Sequence, residues 1–159
     1  MKNKQVLELY QEIKNNKDIN NLKGIKLSLL LLDNVEIIES FIKKLQESIK
    51  ADSDYEAYEN ERVKLCEDNA EKDESGQPLT KKNGQYTEYV IDQNDEFNAK
   101  MNNLNLEYAE VIDKHNKKID EYNLYLDEET TVELKKIDTA LLPEDVSFKV
   151  INILKPLLN

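Results

Sequence analysis

Residues 94–126 read NDEFNAKMNNLNLEYAEVIDKHNKKIDEYNLYL, and the architecture of the chain turns on them. Phe97, Met101, Leu104, Tyr108, Val111, His115, Ile119, Tyr122 and Leu126 recur with a mean spacing of about 3.6 residues, the period of a straight α-helix rather than of a supercoiling heptad. No glycine or proline interrupts the run. The spacing predicts one long helix over about 94–126 whose apolar stripe is covered by other helices or by a partner. Its solvent face carries charge pairs such as Asp113–Lys117 and Lys117–Glu121.

Immediately upstream the pattern changes. Asp73-Glu74-Ser75-Gly76 reads as a turn, and the segments Pro78 to Lys82 and Gln85 to Ile91 flank Asn83-Gly84. Both turn residues tolerate positive φ, which makes Asn-Gly a strong hairpin signal, so a β-hairpin over about 78–91 is predicted between helices. Before it, Ser53-Asp54-Tyr55-Glu56 matches a capping box and predicts a helix from Asp54 that fades after Ala70. Its inner face is Tyr55, Tyr58, the stem of Arg62, Leu65 and Cys66. The short link at 51–53 makes the preceding helix, with Ile38, Phe41, Ile42, Leu45 and Ile49 on one face, an antiparallel neighbour. Asp33 and Glu36 are spaced to start that helix.

Further out, Ile25, Leu27, Leu29 and Leu31 alternate, as in a strand, and so does the β-branched run from Thr130 to Ile137. Pairing of 25–31 with 131–137 as a small two-stranded sheet is expected. Val6, Leu9, Tyr10 and Ile13 mark a short amphipathic helix, read with residues 1–22 as an N-terminal extension to a single helical domain at 23–159. Leu142-Pro143 ends the second strand, and Ser147 caps a last short helix limited by Pro156. The fold class is therefore mainly α, within α+β: antiparallel helices around one long helix, with an inserted hairpin.

The chain of 159 residues carries 35% charged and 39% apolar residues with a net charge of −11. That sign argues against a nucleic-acid backbone or an anionic membrane as direct partner and permits a basic protein surface. One cysteine, Cys66, allows no internal disulfide, which suits a reducing cytoplasm. The start, Met1-Lys2-Asn3-Lys4, is followed by no apolar signal-peptide core.

Reactive groups are sparse. His115 is the sole histidine and falls on the apolar stripe, which reads as a packed imidazole rather than a base or ligand. Cys66 reads as a packed thiol. The three glycines, Gly24, Gly76 and Gly84, form no phosphate loop. No catalytic residue, cofactor or metal site is therefore assigned, and a non-enzymatic protein is expected.

One regional anomaly stands out. Asp52, Asp54, Glu56, Glu59, Glu61, Glu67, Asp68, Glu71, Asp73 and Glu74 face only Arg62, Lys64 and Lys72 within residues 51–75, a net of −7 in a chain of −11. Such a face suits the phosphate-binding groove of a nucleic-acid-binding protein, and tyrosines beside it supply rigid amphipathic contact area. The candidate partner-binding residues are Asp54, Tyr55, Tyr58, Glu59, Glu61, Glu67, Asp68, Glu71, Tyr86 and Tyr89.

The order of these features also resembles a known family. Asn34-Val35-Glu36-Ile37-Ile38 is followed by Tyr55-x-x-Tyr58-x-x-Glu61-Arg62-x-x-Leu65 and then by Ala70-Glu71-Lys72-Asp73-Glu74-Ser75-Gly76-Gln77-Pro78. A polar hairpin, a long helix, Glu128-Glu129, Val132 to Ile137 and Leu142-Pro143 complete the order. From Ile25 to Asn159 the chain resembles small phage proteins of low-GC Gram-positive bacteria grouped as domain of unknown function 1617. Val35 stands where that pattern has glycine, and residues 1–22 look like an added helix. The resemblance implies a phage origin and a place in the cytoplasm of the infected bacterium, and it carries no catalytic residues. Two roles follow as expectations: an accessory protein that binds and inhibits or modulates a host or antiviral-defence protein, or a structural or assembly protein that self-associates through its helices.

Overall fold

Helical spacing of apolar residues accounts for most of the architecture. The structure, a computed structural model, describes residues 1–84, 86–91 and 94–159. Seven α-helices are present among them: α1 (Asn3–Asn15), α2 (Lys17–Asn20), α3 (Ile25–Ser48), α4 (Ser53–Asp68), α5 (Asp95–Glu107), α6 (Ala109–Asp127) and α7 (Phe148–Leu154). Two strands, β1 (Thr80–Asn83) and β2 (Tyr86–Tyr89), form an antiparallel hairpin. The chain divides into two compact units, Met1–Lys50 with Ile119–Asn159, and Ala51–Lys118. No described helix is long and apolar enough to cross a membrane.

The first unit holds the larger core. Val6, Leu9 and Ile13 of α1, Leu27, Leu31, Val35 and Ile38 of α3, and Val150, Ile153 and Leu154 of α7 are buried together with Ile19, Ile137 and Leu157. Each such aliphatic side chain contributes about 1.5–3 kcal/mol on burial, so α1 is part of the core. Residues 1–22 are thus not an extension. The chain divides at 50/51 and within α6, not at 22/23. Lys2 and Lys4 pair with Asp127 at 3.4 and 2.7 Å, and buried Asn3 donates from Nδ2 to the Tyr125 carbonyl. Asn3 thereby adds a second donor to a carbonyl at the end of α6 that also accepts from the Glu128 N–H.

The expected sheet between 25–31 and 131–137 is absent, because 25–31 is the first part of α3. The alternation there arises from two interleaved helical rows. Leu27 and Leu31 form an inward i, i+4 pair, while Ile25, Leu29 and Leu32 form an outward i, i+4, i+7 row. A helix apolar on two faces mimics a strand over seven residues. Asp33 consequently lies inside the helix rather than at its start, and pairs with Lys135 at 2.6 Å.

The 131–137 run forms no strand, only a single parallel bridge from Ile137 to Leu158, and its backbone finds a different partner. Fully buried Asn34 accepts from the Lys135 N–H at 2.7 Å and donates Nδ2 to the Lys135 carbonyl at 3.0 Å. One side-chain amide thus does what a neighbouring strand would do. Ile137 then donates to the Leu157 carbonyl and accepts from Asn159.

The long helix runs from the Asn94 cap, whose Oδ1 accepts from the Phe97 N–H, to Asp127, and is interrupted at Tyr108. Its ladder continues across that residue, with Tyr108 N–H donating to Leu104 and Ile112 N–H to Tyr108. Of the nine stripe positions Phe97 is buried and the other eight are half-buried. The stripe is the inward face of both α5 and α6, yet α6 has no fully buried residue. The deepest core lies instead on α1, α3 and α7.

Asn83 pairs with Tyr86, so Asn83 closes β1 instead of entering the turn, where Gly84 has φ +62°. The expectation that the second strand begins at Gln85 lies outside the described residues. Beyond the strands, the Glu71 N–H donates to Val90 and its carbonyl accepts from Leu79, so the hairpin base is tied to the end of α4. The strands themselves are exposed on both faces except at Tyr89.

Candidate functional site

The unit Ala51–Lys118 contains every candidate residue read from the sequence. At 100° per residue, the inward side of α4 carries Tyr55, Tyr58, Arg62, Leu65 and Cys66, each buried or half-buried. Asp54, Glu61 and Asp68 form one exposed flank of the helix and Glu56 and Glu67 the other. The two flanks come from one sequence pattern in which carboxylates avoid the tyrosine-bearing face. The helix begins at Ser53, with Asp52 before it, and the expected Ser53–Glu56 capping box does not form.

Asp52 is held elsewhere. Its carboxylate bonds Lys114 at 2.6 Å and Lys118 at 2.7 Å, and these two hydrogen bonds hold its pKa down at about 2. A carboxyl depressed on folding stabilises the fold above its ordinary pKa, and that stability is lost as pH falls from about 4 toward 2. Accordingly, Asp52→Asn is expected to lower the urea midpoint at pH 7, with the difference from wild type closing between pH 4 and pH 2. Denaturation curves at a series of pH values check this.

The tyrosines form an internal cluster. Tyr55 stacks on His115 with ring centroids 3.6 Å apart and planes 16° off parallel. Tyr58 lies 5.6 Å from both Tyr55 and Tyr108 in tilted geometry. The Tyr58 hydroxyl donates to Asn105 Oδ1 at 2.9 Å, and burial pushes its pKa up. The Tyr108 hydroxyl donates to Glu61 Oε1 at 2.8 Å. Arg62 grips Glu59 through two hydrogen bonds of 2.9 and 2.8 Å, a bidentate pair. Burial raises the Cys66 thiol, which opposes thiolate formation at neutral pH.

These contacts divide the ten candidates. Tyr58 is 7% exposed and cannot serve as a partner contact, which corrects its inclusion. The reason is its position on the inward row, where aromatic area is worth more against Tyr108 than against solvent. Tyr55 is half-buried against His115, and Glu59 and Glu61 are bonded within the unit. Asp54, Glu67, Asp68, Glu71 and Tyr86 are exposed, and Tyr89 is half-buried. Among the described residues, Glu67, Asp68 and Glu71 make no ion pair or side-chain hydrogen bond. Glu56, Asp73 and Glu74 extend the same exposed acidic surface. Asp73 is shaped as a turn, its carboxylate accepting from Ser75 and Gln77, which lowers its pKa.

A concavity in the other unit was not read from the sequence. Ile37, Phe41, Tyr125 and Val132 line a groove of about 640 Å3 together with polar residues such as Glu36 and Glu133. The half-buried Phe41 ring and the exposed Tyr125 ring lie 6.5 Å apart. Its residues are scattered over a hundred positions in sequence, so spacing offers no signal for it. Among the described residues, no group of three or more His, Cys, Asp or Glu side chains is arranged to hold a metal ion. In comparisons with protein-family models, with curated proteins and with solved structures, nothing matches this chain.

Proposed function

We propose that this is an acidic accessory protein of phage origin that acts by binding a host or antiviral-defence protein, not by chemistry. The observation that carries the reading is the exposed surface of α4 and the following turn. There Asp54, Glu56, Glu67, Asp68, Glu71 and Glu74 face solvent with no cation paired to them among the described residues. Unneutralised carboxylates at this density steer a basic partner toward the surface and accelerate encounter. A nucleic-acid-binding protein, whose phosphate-binding groove is basic, is the partner of matching chemistry. The exposed hairpin carries Tyr86 at its turn end, an aromatic contact residue in the same unit as the carboxylates. Resemblance to the phage proteins of domain of unknown function 1617 supports the setting, the cytoplasm of an infected bacterium.

The test is capture of partners by tagged wild-type protein during infection, compared with a Glu56→Lys/Glu67→Lys/Asp68→Lys/Glu71→Lys variant. Among the described residues the side chains at these four positions make no ion pair or side-chain hydrogen bond, so the variant keeps its circular dichroism spectrum. A partner released by moderate salt and lost by the variant is the expected result. Equal capture by both proteins removes the acidic surface from the mechanism.

A further inference from the structure

The outward row of α3 has no role in the reading above. Ile25, Leu29 and Leu32 are 83%, 55% and 52% exposed, and they stand at i, i+4 and i+7, in one line along the helix. Inward core positions of the same helix are buried, so this row is a second apolar face and not a loosened core. Three aliphatic side chains lined up in water are a mark of an interaction surface.

Charge around the row identifies what covers it. Residues 23–36 contain Lys23 and Lys26 against Asp33 and Glu36, a neutral stretch in a chain of −11. Two like-charged copies meet there without the repulsion that their acidic regions impose. Asp33 is already paired with Lys135. Lys26 and Glu36 are exposed and, among the described residues, make no ion pair. They flank the apolar row at opposite ends.

We infer that this face joins two copies of the chain in an antiparallel, two-fold α3–α3 contact. With the axis between Leu29 and Leu32, Leu29 of one copy meets Leu32 of the second, and Lys26 of each reaches Glu36 of the other. Such an isologous arrangement closes on itself at two copies. An in-register parallel pairing sets Glu36 against Glu36 and leaves Lys26 of each copy without a carboxylate across the contact. That opposition selects the antiparallel form. The flexible lysine stem covers the edge of the apolar row while its ammonium reaches the carboxylate. The inference is independent of the acidic partner-binding surface, which lies in the other unit.

Sedimentation equilibrium tests it. The mass is expected to rise with concentration from 18.6 kDa toward twice that value. Leu29→Glu/Leu32→Glu stays at the single-copy mass with an unchanged circular dichroism spectrum, since both positions are exposed. Lys26→Glu alone and Glu36→Lys alone each weaken association by about tenfold, and the double swap restores it. A wild-type chain that remains a single copy at every concentration overturns the inference. So does association that the leucine variant leaves unchanged, or a double swap no better than either single one.

Discussion

Asn34→Ala is expected to destabilise the unit Met1–Lys50 with Ile119–Asn159 by about 3 kcal/mol. The side chain is fully buried, and it bonds both the N–H and the carbonyl of Lys135 as well as the Leu30 carbonyl. Alanine leaves the two peptide groups of Lys135 without a partner beside the core, and each unsatisfied group costs about 1–3 kcal/mol. Urea denaturation followed by far-ultraviolet circular dichroism measures the loss. Asn34→Asp separates hydrogen bonding from size. An ionised carboxylate can still accept from the Lys135 N–H but faces two carbonyls with no proton to donate. Its pKa is therefore raised on folding, so the variant recovers part of its stability below pH 4 and loses it as the pH rises. A variant equally unstable at pH 3.5 and pH 7 contradicts this account of the site.

Tyr58→Ala carries a similar expected cost, about 3 kcal/mol, in the unit Ala51–Lys118. The ring is the buried centre of a chain of contacts from His115 through Tyr55 to Tyr108. Removing it deletes two aromatic contacts and leaves Asn105 Oδ1 without its donor. Tyr58→Phe keeps the ring and loses about 1 kcal/mol for the hydrogen bond alone. Tyr86→Ala is the control: that residue is 77% exposed, and its removal stays within about 0.5 kcal/mol. Tyrosine fluorescence during unfolding reads all three variants, because the chain has eight tyrosines and no tryptophan. Equal losses for Tyr58→Phe and Tyr58→Ala place the energy in the hydroxyl, not the ring.

Both sites show how far spacing alone leads. The inward row of α4 was legible because Tyr55, Tyr58, Arg62, Leu65 and Cys66 recur at helical intervals with carboxylates between them. Spacing cannot reveal how an inward row is shared between core and partner, so Tyr58 entered the candidate surface although it packs within its own unit. Glu59 and Glu61 look as free in sequence as Glu67 and Asp68. Their engagement comes from Arg62 one turn on along the helix and from Tyr108, 47 positions away.

Local chemistry was enough for the mainly helical character, the hairpin beside Asn83-Gly84, the helix start near Asn94, the Ser147 cap, and the acidic bias of residues 51–75. Each depends on neighbours within a few positions, where turn geometry, capping and the 3.6-residue period act directly. Packing settled the rest. Leu27 and Leu31 point inward while Ile25, Leu29 and Leu32 point outward, a division that an alternating run of aliphatic residues conceals. Asn34 meets Lys135 across a hundred residues, and α1 enters the core rather than standing apart. Those outcomes belong to contacts distant in sequence, whose energies are decided by which surfaces bury each other and not by the order of the residues.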